Sequence, residues 1–464
     1  MAPRILPQAA LTGLRTRLTG TALVPADPGY DEARTVFNGM IDRRPAVVVQ
    51  CETPDDVVHA LRTAREHGLE IAVRGGGHSV DGLATTDGGL VVDLRRMHSV
   101  RVDPERRTAT VGGGATFAHL DRATEPYGLA TTGGRASTIG VGGFTLGGGS
   151  GWLERTYGLG CDNLLAADLV LAGGTTAHTD ADHEPELFWA LHGGGGNFGV
   201  ATSLTLRLHP LPAMSVVLLM TEPEDSLDAL LAYRDLMAEA PDEAGGAVIY
   251  LTGAPEAFVP EPLVGRMVCA LLVTYAGTEA QARATAAPLF GLRHASETVA
   301  RLPYADLQCM LDDPPGLRNH WSAEYLTGLP DDAASVFRTL ADSLPVPSGS
   351  RHILFPMGGA VDRAPDDLPV PWRHAPWAVH PFGVWENPID DGPGRGWVRG
   401  VRAAMRPWAL DAVHLDFIGS EGEERVIASY GADNYRRLAR VKAAYDPDNL
   451  FHLNHNIRPA HSPV

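Results

Sequence analysis

The residues best placed to do chemistry lie in glycine-rich segments of the first 200 residues. The sequence RGGGHS spans residues 74–79, directly after a predicted strand. Alone, it is equally consistent with a tight turn and a histidine that hydrogen-bonds locally. Three further glycine-rich segments, at 112–114, 133–151 and 193–199, also lie beside short predicted strands. Together the four segments predict a large pyrophosphate-containing ligand held mainly by backbone N–H groups.

Other glycine patterns lack the context that their usual chemistry requires. Gly194, Gly196 and Gly199 match GxGxxG, but they follow a predicted helix and precede a strand, the reverse of a Rossmann fingerprint. The segment at 77–81 resembles the GxSxG elbow of hydrolases but ends in aspartate. The chain has no Walker A, HExxH or EF-hand motif and no metal-ligand spacing, so no metal site is predicted.

Composition indicates a folded protein of more than one domain. The 464 residues exceed the roughly 250–300 residues that one core supports. The 38 basic and 56 acidic side chains give a net charge of -18, which disfavours nucleic acid and anionic membranes as partners. The four cysteines are far apart, and no apolar run suits a signal peptide or a membrane span. We therefore expect a cytoplasmic protein without a membrane anchor.

Two α+β regions are predicted to position these segments. In the first, a strand at 46–50, a helix from Thr53 to Gly68 and a strand at 71–73 form a βαβ unit that leads into RGGGHS. From Met214 onward, amphipathic helices alternate with strands, and a last helix precedes an irregular tail. The predicted helices are 226–238, 279–290, 333–344 and 433–445, and the predicted strands are 247–251, 267–275, 377–384 and 413–418.

Longer patterns add to this interpretation. RGGGHSVDG begins at Arg74, GVGGFTLGGGSGWLERTYGL at Gly140 and ELFWALHGGGGNFGV at Glu186, and an NYxRLxxxKxxYDPxNxFxxNxNI pattern ends at Ile457. They resemble the berberine bridge enzyme-like FAD-linked oxidases, within the superfamily of vanillyl-alcohol oxidase and p-cresol methylhydroxylase (PCMH). The resemblance implies an α+β, two-domain fold. Its parts are a PCMH-type FAD-binding domain (1–211), a separate α+β substrate domain (212–420) and a C-terminal segment (421–464) that returns to the FAD domain.

The resemblance also implies how the cofactor is held. In that family the histidine of RGGGH is bonded to the 8α carbon of the isoalloxazine, so FAD attached covalently through His78 is expected. Doubly tethered members carry a cysteine in GxCxxVG, but Ala136 stands at that position, and no second tether is predicted. The residues expected to bind FAD are Arg74, Gly75, Gly76, Gly77, His78, Ser79, Gly82, Gly134, Ser137, Thr138, Gly140, Gly142, Gly143, Gly148, Gly149, Asn163, Val200, Asn454 and Asn456.

The implied reaction is oxidation of a small organic molecule, a secondary metabolite, by hydride transfer to flavin N5 with O2 as electron acceptor. Several relatives use the last tyrosine of a YxNY motif as base. Here the matching residues 414–417 read HLDF, and Phe417 cannot accept a proton. The candidate bases are Tyr250 and His380, on predicted strands, and His414 with Asp416, on one face of the strand at 413–418.

The sequence leaves three alternatives open. An oxidative cyclase uses the same cofactor to close a ring. A flavin-binding protein without turnover is suggested by the loss of the tyrosine at Phe417. Aromatic side chains of the second region form either the floor of a pocket for a flat substrate or a core; they are Tyr250, Phe258, Trp321, Trp377, Phe382 and Trp385. Oligomeric state is not predicted.

Overall fold

The computed structural model describes residues 6–211, 213–256, 259–365 and 367–460, and in it helices and strands are mixed along the chain. The strands are β1 (Thr21–Leu23), β2 (Val47–Gln50), β3 (Ile71–Arg74), β4 (Leu90–Asp93), β5 (Val100–Asp103), β6 (Thr108–Gly112), β7 (Leu129–Ala130), β8 (Leu164–Val170), β9 (Thr176–Asp180), β10 (Val200–Arg207), β11 (His209–Pro210), β12 (Met214–Thr221), β13 (Ala244–Thr252), β14 (Met267–Tyr275), β15 (Ser296–Leu302), β16 (Arg318–Trp321), β17 (Glu324–Leu326), β18 (Arg351–Pro356) and β19 (Trp377–Trp385). The helices are α1 (Gln8–Arg15), α2 (Tyr30–Arg34), α3 (Pro54–His67), α4 (Phe117–Thr124), α5 (Val141–Leu146), α6 (Glu154–Tyr157), α7 (Pro185–Ala190), α8 (Ser226–Glu239), α9 (Glu279–Thr285), α10 (Tyr304–Cys309), α11 (Asp331–Ala341), α12 (Asp391–Met405), α13 (Glu423–Tyr430) and α14 (Ala432–Tyr445). The predicted α+β class is confirmed.

The first part of the chain forms three small sheets. A four-stranded sheet has the order β1-β2-β4-β3, a five-stranded antiparallel sheet has the order β5-β6-β10-β8-β9, and β7 pairs with β11. The predicted βαβ unit is present, but β4 lies between its two parallel strands. Thr53 and Asp56 form a capping box at the start of α3, and Gly68 ends the helix with a left-handed φ of 60°. The RGGGHS loop therefore leaves the carboxyl end of β3.

An eight-stranded antiparallel sheet follows, with the order β15-β12-β14-β13-β18-β19-β16 and β17 also paired with β19. Successive residues of a strand face opposite sides of a sheet. Val248 on β13 and Leu354 on β18 pack under α8, α11 and α12. Ile249 and Ile353 pack on the opposite side, in a core shared with the first part of the chain. This second face is the one that meets the glycine-rich loops.

The strand predicted at 413–418 is wrong. Residues Leu415–Phe417 form a single 3-10 turn, and residues 413–418 pair with no strand of the described chain. Val413, Leu415 and Ile418 are buried there. The apolar residues that suggested a strand are therefore the buried side chains of a turn. His414 and Asp416 consequently do not share a strand face. The domain limits at 211 and 420 stay a prediction.

A buried lysine fastens the C-terminal segment to a glycine-rich loop. Lys442 and Asp446 lie one turn apart, are fully buried and pair at 2.7 Å. The Lys442 ammonium also donates to the carbonyls of Asn197 (2.6 Å) and Phe451 (2.8 Å). The Asn197 side chain in turn accepts from Ile457 N. The C-terminal tail is thereby held against the loop at 193–197. None of the helices in the ranges that the structure covers is long and apolar enough to span a membrane.

We predict that Lys442→Ala lowers the free energy of unfolding by about 3–5 kcal/mol, because it leaves the Asp446 carboxylate buried without its partner. The matched control is Arg436→Ala on the same helix. Its pair with Asp433 is exposed, so a loss below about 1 kcal/mol is expected. Urea unfolding of both variants decides the matter. Equal losses would show that the buried pair does not fasten the tail.

Candidate active site

A cavity of about 380 Å³ lies where the glycine-rich loops, the eight-stranded sheet and the C-terminal tail meet. The loops at 75–79, 134–150 and 193–197 form one side of it. Strands β16, β18 and β19 form the other side, and the turn at 414–418 and the tail at 453–455 close the cavity between them. Residues far apart in the sequence are thus brought to one site.

Two glycine loops touch backbone to backbone at this cavity. A Cβ placed on Gly76 would lie 2.3 Å from Gly140 N, and one placed on Gly140 would lie 2.4 Å from Gly76 N. Such distances exclude any side chain at either position. Glycine at both positions therefore lets the RGGGHS loop and the start of α5 form a continuous cavity wall.

His78 is held within this wall. Its Nε2 lies 2.9 Å from the Thr138 hydroxyl, and its ring stacks on Phe37 with a centroid distance of 4.1 Å. Burial lowers the pKa of His78 to about 4. The imidazole is therefore neutral at physiological pH.

About half of the residues expected to bind FAD line the cavity. These are Gly75, Gly76, Gly77, His78, Ser79, Gly134, Gly140, Gly143 and Asn454. The others do not line it: Arg74, Gly82, Ser137, Thr138, Gly142, Gly148, Gly149, Asn163, Val200 and Asn456.

Several of the residues outside the lining support it from behind. Arg74 forms a buried pair with Asp93 at 2.6 Å, which joins the ends of β3 and β4. Ser137 donates from its backbone N and its hydroxyl to Asp312, 2.7 and 2.6 Å away. Asn163 donates to the carbonyls at 157 and 159. These residues position the loops.

Tyr250 lies on the wrong face of the sheet for a catalytic base at this cavity. It is fully buried in the core under the helices, and its hydroxyl donates to Ser226 at 2.9 Å. Its cross-strand partner is His352, which is also fully buried. Because facing alternates along a strand, Ile249 and Ile353 take the opposite side. The structure therefore does not bring Tyr250 to the other candidates.

His380, His414 and Asp416 all line the cavity. His380 donates from Nδ1 to the Ser322 carbonyl at 3.0 Å, which leaves Nε2 as an acceptor. His414 stacks on Trp372 at 4.6 Å, and neither of its ring nitrogens has a partner. Burial lowers the pKa of both histidines to about 3. Both are therefore neutral.

Asp416 differs from the histidines. Its carboxylate faces the cavity and makes no hydrogen bond with the described residues. It lies over Gly147, where a Cβ would approach Oδ2 to 2.3 Å. Asp416 is exposed to the cavity, and its enclosure by the surrounding chain limits its hydration and raises its pKa to about 7. Phe417 packs between the two histidine rings, 4.5 Å from His380 and 4.9 Å from His414.

Two ion pairs at this site are not predicted from the sequence. Arg135 pairs with the buried Glu154 at 2.7 Å and lies over the Phe355 ring at 3.9 Å. Arg351 and Asp313 form a bidentate pair at 2.6 and 3.0 Å. Arg135, Arg351 and Asp313 line the cavity. The partners of these two pairs are 19 and 38 positions apart in the sequence. No local pattern predicts such pairs, so they become visible only in the tertiary fold.

The aromatic residues divide between pocket and core. Trp321 and Phe382 line the cavity and stack at 4.8 Å. Tyr250 and Trp377 belong to the core under the helices, and Trp385 is buried and donates to Asp391 at 2.7 Å. Phe258 lies outside the described residues. Of the described aromatic residues, Trp321 and Phe382 therefore lie at the cavity and Tyr250, Trp377 and Trp385 are buried.

The cavity wall fits a large cofactor held by backbone. Gly143, Gly195 and Gly196 line the cavity, and a Cβ on any of them would meet no described protein atom within 4 Å. These glycines therefore leave space that the protein does not fill. Asn454 contributes a buried Oδ1 without a partner, and such a group calls for a ligand or water. A pyrophosphate and flavin fit this combination of open backbone and unpaired polar atoms.

Comparison with known proteins agrees with this fit. A family model described as an FAD binding domain matches residues 45–180, and one described as berberine and berberine like matches residues 415–458. The (R)-6-hydroxynicotine oxidase of Paenarthrobacter nicotinovorans is 30% identical over 459 residues, covering 95% of this chain and 97% of that protein. The uncharacterised FAD-linked oxidoreductase YvdP of Bacillus subtilis is 30% identical, with 96% and 99% covered.

Solved structures show the same architecture. The 6-hydroxy-D-nicotine oxidase from Arthrobacter nicotinovorans superposes with a TM-score of 0.84 at 29% identity, covering 96% of this chain and 98% of that one. The BBE-like 1 protein of Physcomitrella patens superposes with a TM-score of 0.86 at 21% identity, with 97% and 100% covered. The expected PCMH-type fold is confirmed. The chain belongs to the berberine bridge enzyme-like family of FAD-linked oxidoreductases.

Proposed function

We propose that this FAD-linked oxidoreductase is an oxidase whose flavin is attached covalently through His78 alone, and that it oxidises a small, flat organic substrate of secondary metabolism. The observation that carries the proposal is His78 itself, a neutral imidazole fixed in the cavity wall by its contacts with Thr138 and Phe37. Ala136 also lines the cavity, and its methyl group offers no second attachment.

The bound flavin supplies two-electron oxidation, with the substrate's hydride as the electron pair and O2 as the final acceptor. The protein supplies position and proton transfer. Trp321 and Phe382 stack on each other beside the cavity, which suits a flat substrate. The relatives named as oxidases support O2 as the acceptor.

Among the cavity residues we assign the role of base to Asp416. A base works best when its pKa lies near the working pH. The pKa of Asp416, raised by burial to about 7, meets this condition. The pKa values of His380 and His414, lowered to about 3, make them weak bases. Their neutral rings serve as hydrogen-bonding groups, and His380 Nε2 is the acceptor that faces the cavity. A base in this position argues against a flavin carrier without turnover.

We predict that His78→Ala abolishes covalent flavin. Acid precipitation of purified holoenzyme leaves yellow colour in the wild-type pellet, and mass mapping finds flavin on the His78 peptide and nowhere else. The variant releases its flavin to the supernatant. His98→Ala, on the exposed histidine that packs beside His119, is the control and keeps the colour in the pellet. Flavin that stays covalent in His78→Ala would refute the assignment.

Gly143→Ala tests the glycine cavity wall. Alanine favours a helix over glycine by up to about 1 kcal/mol, so the flavin-free variant keeps or gains stability. The added methyl points into the cavity, so flavin content at a fixed FAD supply falls several-fold. Gly400→Ala is the matched control, since Gly400 is an exposed helical glycine with the same open space. It leaves flavin content unchanged. Full flavin occupancy in Gly143→Ala would contradict this role.

Asp416→Asn tests the base. Because Asp416 acts when ionised, the rate of flavin reduction rises about tenfold per pH unit below its pKa of about 7 and is level above it. The groups that face it, His414, Tyr325 and Tyr430, do not titrate in this range, because burial lowers the pKa of His414 and raises those of both tyrosines.

In Asp416→Asn the rate of flavin reduction therefore no longer rises with pH. The rate itself falls by about 10²–10⁴-fold. Anaerobic stopped-flow measurements from pH 5 to 9, with a substrate found by screening for peroxide release, provide both values. A variant that retains the same pH dependence would move the role of base to another group.

A further inference from the structure

We propose that Asp312 is a positioning residue for the attachment of the flavin: it holds the loop at 134–140 so that Thr138 presents the His78 ring to the cofactor. The proposal rests on the covalent link through His78 proposed above. It follows from the hydrogen bonds that hold this loop on two sides, and from the separate anchoring of Asp312 itself.

Asp312 binds the loop through both of its carboxylate oxygens. Its Oδ1 accepts from the backbone N of Ser137 at 2.7 Å, and its Oδ2 accepts from the Ser137 hydroxyl at 2.6 Å. Hydrogen bonds to a carboxylate are stronger than those between neutral groups, and two of them on one residue fix its orientation as well as its distance. Ser137 is buried at this contact. The position of Ser137 therefore depends on Asp312.

Helix α4 holds the loop from another side. The backbone N of Ala118 donates to the Ser137 carbonyl at 2.8 Å, and that of Phe117 donates to the Ile139 carbonyl at 3.1 Å. These bonds do not involve Asp312, so the loop keeps them when the Asp312 carboxylate is removed. Loss of the carboxylate is therefore expected to loosen the loop without unfolding it.

The loop in turn sets the position of the His78 ring. Thr138 directly follows Ser137, and its hydroxyl lies 2.9 Å from His78 Nε2. A movement of Ser137 is thus passed to the hydroxyl that His78 contacts. Bond formation requires the reacting atoms to be closely aligned, and a displacement of about 1 Å can reduce a rate about 10²-fold. Binding of FAD is shared with the other glycine-rich loops of the cavity, so Asp312 acts on the rate of attachment more than on the affinity for FAD.

Asp312 is itself fixed from outside the loop. Its backbone N donates to the carbonyl of Cys309 at 3.1 Å, at the end of α10. The next residue, Asp313, forms the bidentate pair with Arg351 on β18. The segment at 312–313 consequently connects the eight-stranded sheet to the cofactor loop, and it supports the loop from a separate part of the fold.

The charge of Asp312 acts in the same direction. Attachment forms a bond between an imidazole nitrogen and the 8α carbon, and one hydrogen leaves each of them as a proton. Two electrons remain on the flavin, which passes them to O2 to give hydrogen peroxide. The imidazole carries positive charge from the time its nitrogen bonds to carbon until its ring proton leaves. Burial lowers the pKa of His78, and the nearby Asp312 carboxylate opposes this effect by favouring the positively charged ring.

The test measures the rate of attachment separately from the affinity for FAD. Full-length wild-type protein and variants are purified from riboflavin-limited cells, FAD is added at saturation, and covalent flavin is followed over time by acid precipitation. We expect Asp312→Asn to attach flavin at least about tenfold more slowly than wild type. Asp306→Asn is the matched control, since it removes the same charge at an exposed position on α10, and it keeps the wild-type rate.

The affinity for FAD is measured where no attachment takes place, by comparing His78→Ala with His78→Ala/Asp312→Asn. We expect the two Kd values to agree within about threefold, because the other glycine-rich loops are unchanged. A loss of affinity as large as the loss of rate would assign Asp312 to the folding of the loop and overturn the inference.

A further variant tests whether Asp312 acts through its contact with the loop. Ser137→Ala removes the hydroxyl that donates to Asp312 but leaves the Asp312 charge in place. If the two residues act through their contact, the double variant is no slower than Asp312→Asn alone, because effects at one contact are not additive. Single effects that multiply in the double variant would overturn the inference.

These results are distinguishable from a failure of the proposed function. Wild-type protein that attaches flavin to His78, with Asp312→Asn attaching it at the same rate, overturns the inference and leaves the covalent link intact. Wild-type protein that attaches no flavin refutes the proposed link, and the inference with it.

Discussion

The contact between Gly76 and Gly140 is the constraint on which the rest of the site depends. It allows two loops, one from the end of β3 and one from the start of α5, to meet without side chains between them. This contact also brings His78 and Thr138 together, because each lies two residues from one of the two glycines. The His78 Nε2 and the Thr138 hydroxyl are 2.9 Å apart. A larger residue at either glycine would separate the loops and with them the imidazole from the hydroxyl that holds it.

The eight-stranded sheet completes the site through the alternation of its side chains between two faces. Its central strands are buried on both faces, so each strand supplies one set of side chains to the helices and the other to the cavity. Arg351, Ile353 and Phe355 face the cavity from β18, and His380 and Phe382 do so from β19. A shift of one residue in register would exchange these sets. Catalytic chemistry on this side therefore requires the same register that packs the core.

The sequence predicts the parts that local rules govern. The limits of α3 follow from Thr53 and Gly68, and the cavity wall follows from clustered glycines. It does not predict which face Tyr250 takes, because β13 is apolar on both faces and shows no alternation. The spacing of apolar residues at 413–418 is typical of a strand, but the segment forms a turn and pairs with no strand of the described chain. Pairs such as Arg351 with Asp313 depend on tertiary contacts that no local pattern records.

The chemistry of the cavity follows from what burial does to each kind of charge. Removing water favours the neutral form of every ionisable group. It makes the histidines neutral, and it holds Asp416 near the midpoint of its titration, because no donor stabilises its anion. Each of the two arginines that line the cavity forms an ion pair with a carboxylate. The site therefore contains one carboxylate whose protonation state changes near neutral pH, beside histidine rings that stay neutral there.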